Sequence, residues 1–147
     1  MHFLGLHLPK PGTKRLVVGV VLDGTSVLDT LEHVPNPDHS HALQCREALD
    51  AIRTLLAAHQ LAACVLVESD YHPQSKLNAS AKQRLRLEGA ILAACQEKIP
   101  VVAVMDGPAL GRAMGADKQA ALDGGKATGV EKKFYEAAAA ALAAQRL

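Results

Sequence analysis

The sequence predicts an α/β fold in which a mixed five-stranded sheet carries helices on both faces. Residues 1–34 contain three strand-like runs separated by turn signals, and helical and strand patterns alternate after them. Short turns join antiparallel strands, whereas helical crossovers join parallel ones, so this order predicts a mixed sheet. The chain has 147 residues, which is enough to bury the core of one domain. We therefore expect a single domain over residues 1–147.

The amino-terminal third is expected to form a three-stranded antiparallel meander. Its strands are predicted at residues 2–8, 16–22 and 27–34. Residues 9–12 contain two prolines and a glycine, which end the first strand in a turn. Asp23-Gly24 predicts a type I′ hairpin turn, because both residues tolerate the positive φ that this turn requires.

Helices and strands alternate through the rest of the chain. Apolar residues recur at helical spacing over residues 41–60, and the apolar run at 62–67 is typical of a buried strand. The remaining elements are a helix over 80–96, a strand over 100–105, a helix over 108–122 interrupted at Gly111 or Gly115, and a helix over 131–145. Asp123-Gly124-Gly125 is expected to break the chain, and the Ala-rich end is typical of tight helix packing. The order is βββαβαβα with one extra helical piece.

Composition limits the kinds of partner. The formal net charge is +1, so an anionic partner must meet a local basic patch. Three cysteines, Cys45, Cys64 and Cys95, have neither zinc spacing nor an even count, which favours a reducing, cytoplasmic setting. No stretch has the length of a membrane span and residues 1–8 are too short for a signal peptide, so we expect no membrane partner.

The candidate ligand site lies where the fourth strand ends on Glu68. Ligands bind in open α/β sheets at the carboxyl ends of strands, and here a polar loop and a basic helix start follow the acid. The alternative is a surface glutamate at a strand terminus, without a function.

Basic residues surround this candidate site. Lys76, Lys82, Arg84 and Arg86 follow Glu68, and Lys10, Lys14 and Arg15 flank the first turn. Contacts from such residues to phosphates would position a nucleic acid without reading its sequence, and Tyr71 would stack on an unpaired base. The alternative is an ordinary solvated helix face balanced by Glu88 and Glu97.

Several short motifs, taken in order, resemble those of a known enzyme family. Leu4-Gly5-Leu6-His7 resembles a first-strand motif that leads to a catalytic Asp, and Glu68 stands at the place of a second acid. The other matching pieces are Tyr71, Asn78-Ala79-Ser80-Ala81, Gly111-Arg112 through Gly115-Ala116-Asp117-Lys118-Gln119, and Tyr135-Glu136-Ala137-Ala138. On these residues the chain resembles the RuvC-type Holliday-junction resolvases.

This resemblance implies a fold, a partner and a set of contacts. The fold would be ribonuclease H-like, and the partner would be branched or single-stranded DNA bound by a homodimer. The residues assigned to nucleic-acid binding are Lys10, Lys14, Tyr71, Lys76, Asn78, Lys82, Arg84, Arg86, Arg112 and Lys118.

The departures from the family pattern concern the metal centre. The family holds two Mg²⁺ ions between carboxylates of the first strand, the fourth strand and the last helix, because hard cations take oxygen ligands. Here the corresponding catalytic and metal-binding candidates are His7, Glu68 and Glu136, and Lys133 stands three residues before the last of them. Imidazole suits Mn²⁺ or Zn²⁺ better than Mg²⁺.

Three functions follow from this comparison. The loss of the first-strand acid favours a degenerate nuclease that binds structured or branched nucleic acid. Retention of Glu68 keeps open an active endonuclease with an altered metal, Mn²⁺ or Zn²⁺. The third function is a non-catalytic protein-interaction module on the same fold.

Overall fold

The computed structural model describes residues 1–68 and 77–147. The strands are β1 (His2–His7), β2 (Val17–Asp23), β3 (Ser26–His33), β4 (Leu61–Val67) and β5 (Val101–Met105). The helices are α1 (His41–Ala58), α2 (Ala79–Lys98), α3 (Gly107–Ala113), α4 (Lys118–Ala127) and α5 (Tyr135–Ala144), and a 3₁₀ turn (Lys132–Phe134) precedes α5. The predicted strands and the first two helices are therefore confirmed, with small differences at their ends.

The five strands form one mixed sheet in the order β3-β2-β1-β4-β5. β1 pairs with β2 and β2 with β3 in antiparallel fashion, which confirms the predicted meander. β1 pairs with β4 and β4 with β5 in parallel fashion. Because β1 and β4 are parallel neighbours, their carboxyl ends lie at the same edge of the sheet, where the candidate site was predicted.

The hairpin between β2 and β3 differs in detail from the prediction. Asp23 still belongs to β2 and pairs with Ser26, so the two central residues are Gly24 and Thr25. Gly24 has a φ of 58°, and Thr25 does not have positive φ. A type I′ turn needs positive φ at both central positions, whereas type II′ needs it only at the first. The turn is thus of the II′ kind, with glycine at the position that requires it.

Side-chain alternation divides the sheet between two helical layers, as predicted. Leu4, Leu6 and Leu66 point toward α1 and α2, where they are buried with Ile52 and Ile91. The alternate residues of β4 pack on the other side, against α3, α4 and α5; they are Ala63, Val65 and Val67. The apolar core therefore lies on both sides of the sheet and fixes the strand register.

The region after α3 corrects one prediction. Asp123-Gly124-Gly125 does not break the chain but lies inside α4. A Cβ on Gly125 would overlap the backbone carbonyl of Tyr135, so this glycine serves the close contact between α4 and α5. The chain instead reverses at Gly115 (φ 81°) and Gly129 (φ 86°), where positive φ favours glycine. The predicted interruption therefore lies at Gly115.

The last helix packs closely on the sheet because its inner side chains are small. The buried residues of α5 are Ala137, Ala138, Ala139, Ala140, Ala141, Ala143 and Ala144. They contact β1, β2 and β4, which confirms that the Ala-rich end of the chain forms a tightly packed helix. Among the helices that the structure describes, none combines the length and hydrophobicity needed to cross a bilayer.

Candidate functional site

The site is centred on a hydrogen-bonded pair of side chains that joins the end of β1 to the start of α5. His7 is the last residue of β1, and its Nε2 lies 2.9 Å from Oε2 of Glu136, in the first turn of α5. At this distance the imidazole N–H donates a hydrogen bond to the carboxylate. The two side chains are largely buried, with 18% of His7 and 26% of Glu136 exposed. Two of the three predicted metal ligands are therefore bound to each other.

The glycine two residues before His7 allows this pairing. A Cβ on Gly5 would overlap the carbonyl oxygen of Ala137 and the amide nitrogen of Ala141, so the backbone of α5 lies directly on β1. Gly5 and His7 point to the same side of the sheet, because side chains on a strand alternate. The close approach at Gly5 thus brings Glu136 within reach of His7.

A lysine from α4 contacts the second oxygen of the same carboxylate. Lys118 Nζ lies 3.7 Å from Glu136 Oε1. Two glycines of α3 make room for it: a Cβ on Gly107 would stand 2.8 Å from Lys118 Cδ, and one on Gly111 would stand 2.6 Å from the Lys118 amide nitrogen. The lysine stem therefore passes over α3 and directs the ammonium to Glu136.

The surroundings of Glu136 hold it in the ionised form. The hydrogen bond from His7 lowers the pKa of the Glu136 carboxyl, while burial acts in the opposite direction. Electrostatic interactions with His7, Lys118 and Lys10 lower this pKa further. The carboxylate is thus charged at neutral pH, and the Lys118 ammonium offsets part of its charge.

Glu68, the third predicted ligand, directly follows the end of β4. In the parallel register His7 stands beside Val67, and Glu68 follows one residue beyond. The Glu68 amide donates to the carbonyl of Met105 at 3.0 Å, and its side chain is exposed. Within residues 1–68 and 77–147, no three His, Cys, Asp or Glu side chains are grouped as metal ligands.

These residues do not fit a pair of Mg²⁺ ions. Such ions need several oxygen ligands in near-octahedral geometry, whereas the carboxylate of Glu136 contacts an imidazole and an ammonium. Lys133, three residues before Glu136, pairs with other carboxylates: its Nζ lies 2.6 Å from Glu32 Oε2 on β3 and 3.5 Å from Glu131. It belongs to a separate ion cluster at the rim of the site.

A cleft of about 580 Å³ opens beside the His7–Glu136 pair. Its charged lining residues are His7, Arg15, Glu131, Lys132, Lys133 and Glu136. Arg15 lies 3.9 Å from Glu32, which Lys133 also contacts. The sequence analysis named Arg15 only as a residue that flanks the first turn, and it did not name Lys132. Neither residue lies in one of the motifs, so neither was predicted to line the site. Cationic side chains thus outnumber carboxylates around this cleft.

Two solved structures resemble this chain over almost its whole length. One is the Thermus thermophilus RuvC structure, with 17% identity, a TM-score of 0.71, and coverage of 97% of this chain and 92% of that chain. The other is T. thermophilus RuvC in complex with a Holliday junction substrate, with 18% identity, a TM-score of 0.73 and coverage of 97% and 91%. The fold is RuvC-like.

The fold predicted from the motifs is therefore confirmed. A scan against protein-family models finds no match, and neither does a search of curated proteins. Because the identities are low, the likeness to RuvC establishes the fold alone. The chemistry of the chain depends on its own residues.

The RuvC-like fold places one predicted DNA contact inside the protein. Arg84 is only 5% exposed, and its Nε donates to the carbonyl of Pro9 at 2.7 Å. Its Nη1 also donates to the Ser80 carbonyl at 3.2 Å. The prediction that Arg84 shares an exposed basic surface with Lys82 and Arg86 is corrected, because this guanidinium ties the loop after β1 to the start of α2.

Asn78, another predicted DNA contact, is the N-cap of α2 in this RuvC-like fold. Its side-chain oxygen accepts a hydrogen bond from the Ala81 amide at 2.8 Å. Replacing Asn78 with alanine is expected to lower the free energy of unfolding by about 1 kcal/mol, because the first turn loses its acceptor.

Urea denaturation of Asn78→Ala and Asn78→Asp beside the natural protein measures this effect. The aspartate variant retains an acceptor and is expected to match the natural protein. An equal loss of stability in both variants would contradict the capping role.

The other predicted contacts fall into three groups. Lys10, Lys14, Lys82, Arg86 and Arg112 are exposed, as a surface role requires. Lys118 is half-buried against Glu136. Tyr71 and Lys76 lie outside the described residues, so their predicted roles stay predictions.

Proposed function

We propose that this chain is a RuvC-like nucleic-acid-binding domain that binds branched or single-stranded DNA through its phosphates and does not cleave it. The observation that carries this proposal is the pairing of Glu136 with His7 and Lys118 at the site where a resolvase of this fold would hold its metal ions. A nuclease of this type needs carboxylates free to bind metal. The RuvC-like fold supports the nucleic-acid part, since one of the similar structures is RuvC bound to a Holliday junction substrate.

Exposed basic residues near the carboxyl edge of the sheet supply the expected phosphate contacts. Lys82 and Arg86 are four residues apart and therefore share one exposed face near the start of α2. Arg84 fixes the loop that carries Lys10 and Lys14 beside this helix start. Since the net charge is only +1, we expect weak binding, with a Kd of about 10⁻⁴ to 10⁻⁶ M.

The binding test uses two matched double variants. Lys82→Ala with Arg86→Ala is expected to weaken binding to a four-way junction and to single strands alike. It should lower the slope of log K against log salt by about one for each phosphate contact removed. Fluorescence anisotropy at several salt concentrations, with EDTA and with Mg²⁺, measures both quantities.

The control is Arg53→Ala with Lys98→Ala. These residues are also exposed, and they lie at the carboxyl ends of α1 and α2, beside the amino ends of β4 and β5. The control removes the same charge and is expected to leave binding nearly unchanged. If both double variants weaken binding equally, Lys82 and Arg86 act only through net charge and the proposed surface is wrong.

The cleavage test separates this proposal from an active enzyme. We expect no cutting of four-way junctions by the natural protein in Mg²⁺, Mn²⁺ or Zn²⁺. Cutting that disappears in Glu68→Gln or Glu136→Gln would replace the proposal with an active, metal-dependent endonuclease. Dimerisation stays a prediction.

A further inference from the structure

The carboxylate at the centre of the site is engaged on both of its oxygens. His7 Nε2 binds Oε2 of Glu136 at 2.9 Å, and Lys118 Nζ lies 3.7 Å from Oε1. A divalent cation at Glu136 would have to compete with both of these partners for the carboxylate oxygens. The site therefore differs from an open metal centre, in which carboxylate oxygens face the ion.

Lys118 is held in this position by the packing of α3 and α4. Its stem lies against Gly107, where a Cβ would stand 2.8 Å from Lys118 Cδ. Its backbone is fixed at the start of α4, where Asp117 caps the helix by accepting from the Ala120 amide at 2.9 Å. This lysine is half-buried and is positioned by backbone contacts, unlike a lysine on a solvated surface.

Positive charges of the chain already act on this carboxylate. The ammonium groups of Lys118 and Lys10 act on Glu136, and a divalent ion would meet repulsion from them twice as large as a single charge would. The exposed Glu68 is not grouped with Glu136 as a third ligand among the described residues. The contacts on both oxygens of Glu136 and the ammonium charges near it therefore both oppose the binding of a divalent cation.

We propose that the His7 imidazole and the Lys118 ammonium replace the divalent cation at Glu136, so that this RuvC-like centre is a metal-independent, internally neutralised site. This inference deepens the proposed function and rests on it only for one consequence, that nucleic-acid binding needs no metal. The exclusion of the metal itself is measured without nucleic acid, so the two ideas fail separately.

The experiment is a titration of the full chain with Mn²⁺ alone. Electron paramagnetic resonance measures the concentration of free Mn²⁺ at each step. The natural protein and Glu136→Gln are expected to give the same binding curve. The double variant His7→Asp with Lys118→Met restores an acid and removes the ammonium. It is expected to bind Mn²⁺ at least about tenfold more tightly than the natural protein, and to lose that gain when Glu136→Gln is added.

A second double variant tests the part played by Lys118. His7→Asp with Lys126→Met makes the same change in charge, but Lys126 is exposed in the last turn of α4. Because it retains Lys118, it is expected to bind Mn²⁺ about tenfold more weakly than the first double variant. Equal affinity in the two would overturn the role given to Lys118.

The natural protein alone can also overturn the proposal. One Mn²⁺ bound per chain and released in Glu136→Gln would show that the centre takes a metal. This comparison does not depend on the folding of either double variant. Circular dichroism of all the variants confirms that the compared proteins are folded.

Discussion

Replacing Gly5 with alanine is expected to lower the free energy of unfolding by about 3 kcal/mol, because a Cβ there has no space. It would overlap the Ala137 carbonyl and the Ala141 amide, which are backbone atoms that cannot turn away. The helix α5 would have to move off β1, and Glu136 would move away from His7 with it. For a protein of this size such a loss lowers Tm by about 10 °C, which differential scanning calorimetry measures.

The matched control is the same substitution at Gly89. This glycine is exposed on α2, and a Cβ there would meet nothing within 4 Å. Because alanine is the better helix former, Gly89→Ala is expected to stabilise the protein by about 0.5 to 1 kcal/mol. If Gly5→Ala unfolded at the temperature of the natural protein, α5 would not lie on β1 as closely as described.

The strands could be predicted because their pattern is local. The apolar runs ending at Glu68 and Met105 are bounded by turn signals or charge, and each is a buried or half-buried strand in the sheet. Their parallel order followed from the helical crossovers between them. The local sequence pattern was therefore sufficient to predict the strands, and the predicted and observed strands differ only at their ends.

The glycines of α4 could not be interpreted in the same way. Asp123-Gly124-Gly125 carries the local signal of a chain break, yet Gly125 lies in a helix against the backbone at Tyr135. A glycine required by close packing and a glycine required by a turn look alike in one sequence. The distinction depends on tertiary contact, which the sequence pattern does not contain.

Within the site, the sequence predicted which two side chains lie close together, but it did not predict the lysine that also contacts Glu136. The motifs placed His7 and Glu136 at one centre, and they are 2.9 Å apart. The partner role of Lys118 was missed, since it depends on how α3 and α4 pack. Gly107 and Gly111, four residues apart on one side of α3, leave the space that the Lys118 side chain and the backbone at Asp117 occupy.

The burial of Arg84 did have a signal in the sequence. Arg84, Leu87 and Ile91 are spaced at i, i+3 and i+7 on one helix face, and all three are buried. Lys82 and Arg86 each stand two residues from Arg84 and therefore lie on another face of the helix, where they are exposed. Charge type and helix face have to be considered together when a phosphate contact is predicted.

Replacing Arg84 with methionine is therefore expected to destabilise the protein by about 2 kcal/mol. Methionine fills similar volume but leaves the Pro9 carbonyl without the donor that now lies 2.7 Å away, and a buried acceptor without a partner is costly.

Arg86→Met is the control: this exposed residue should change stability by less than about 0.5 kcal/mol and should instead lower the salt slope of DNA binding. Urea denaturation and anisotropy on both variants give the two quantities. Equal destabilisation by the two substitutions, or none by Arg84→Met, would show that Arg84 does not fix the loop after β1, and the different roles assigned to neighbouring arginines would have to be abandoned.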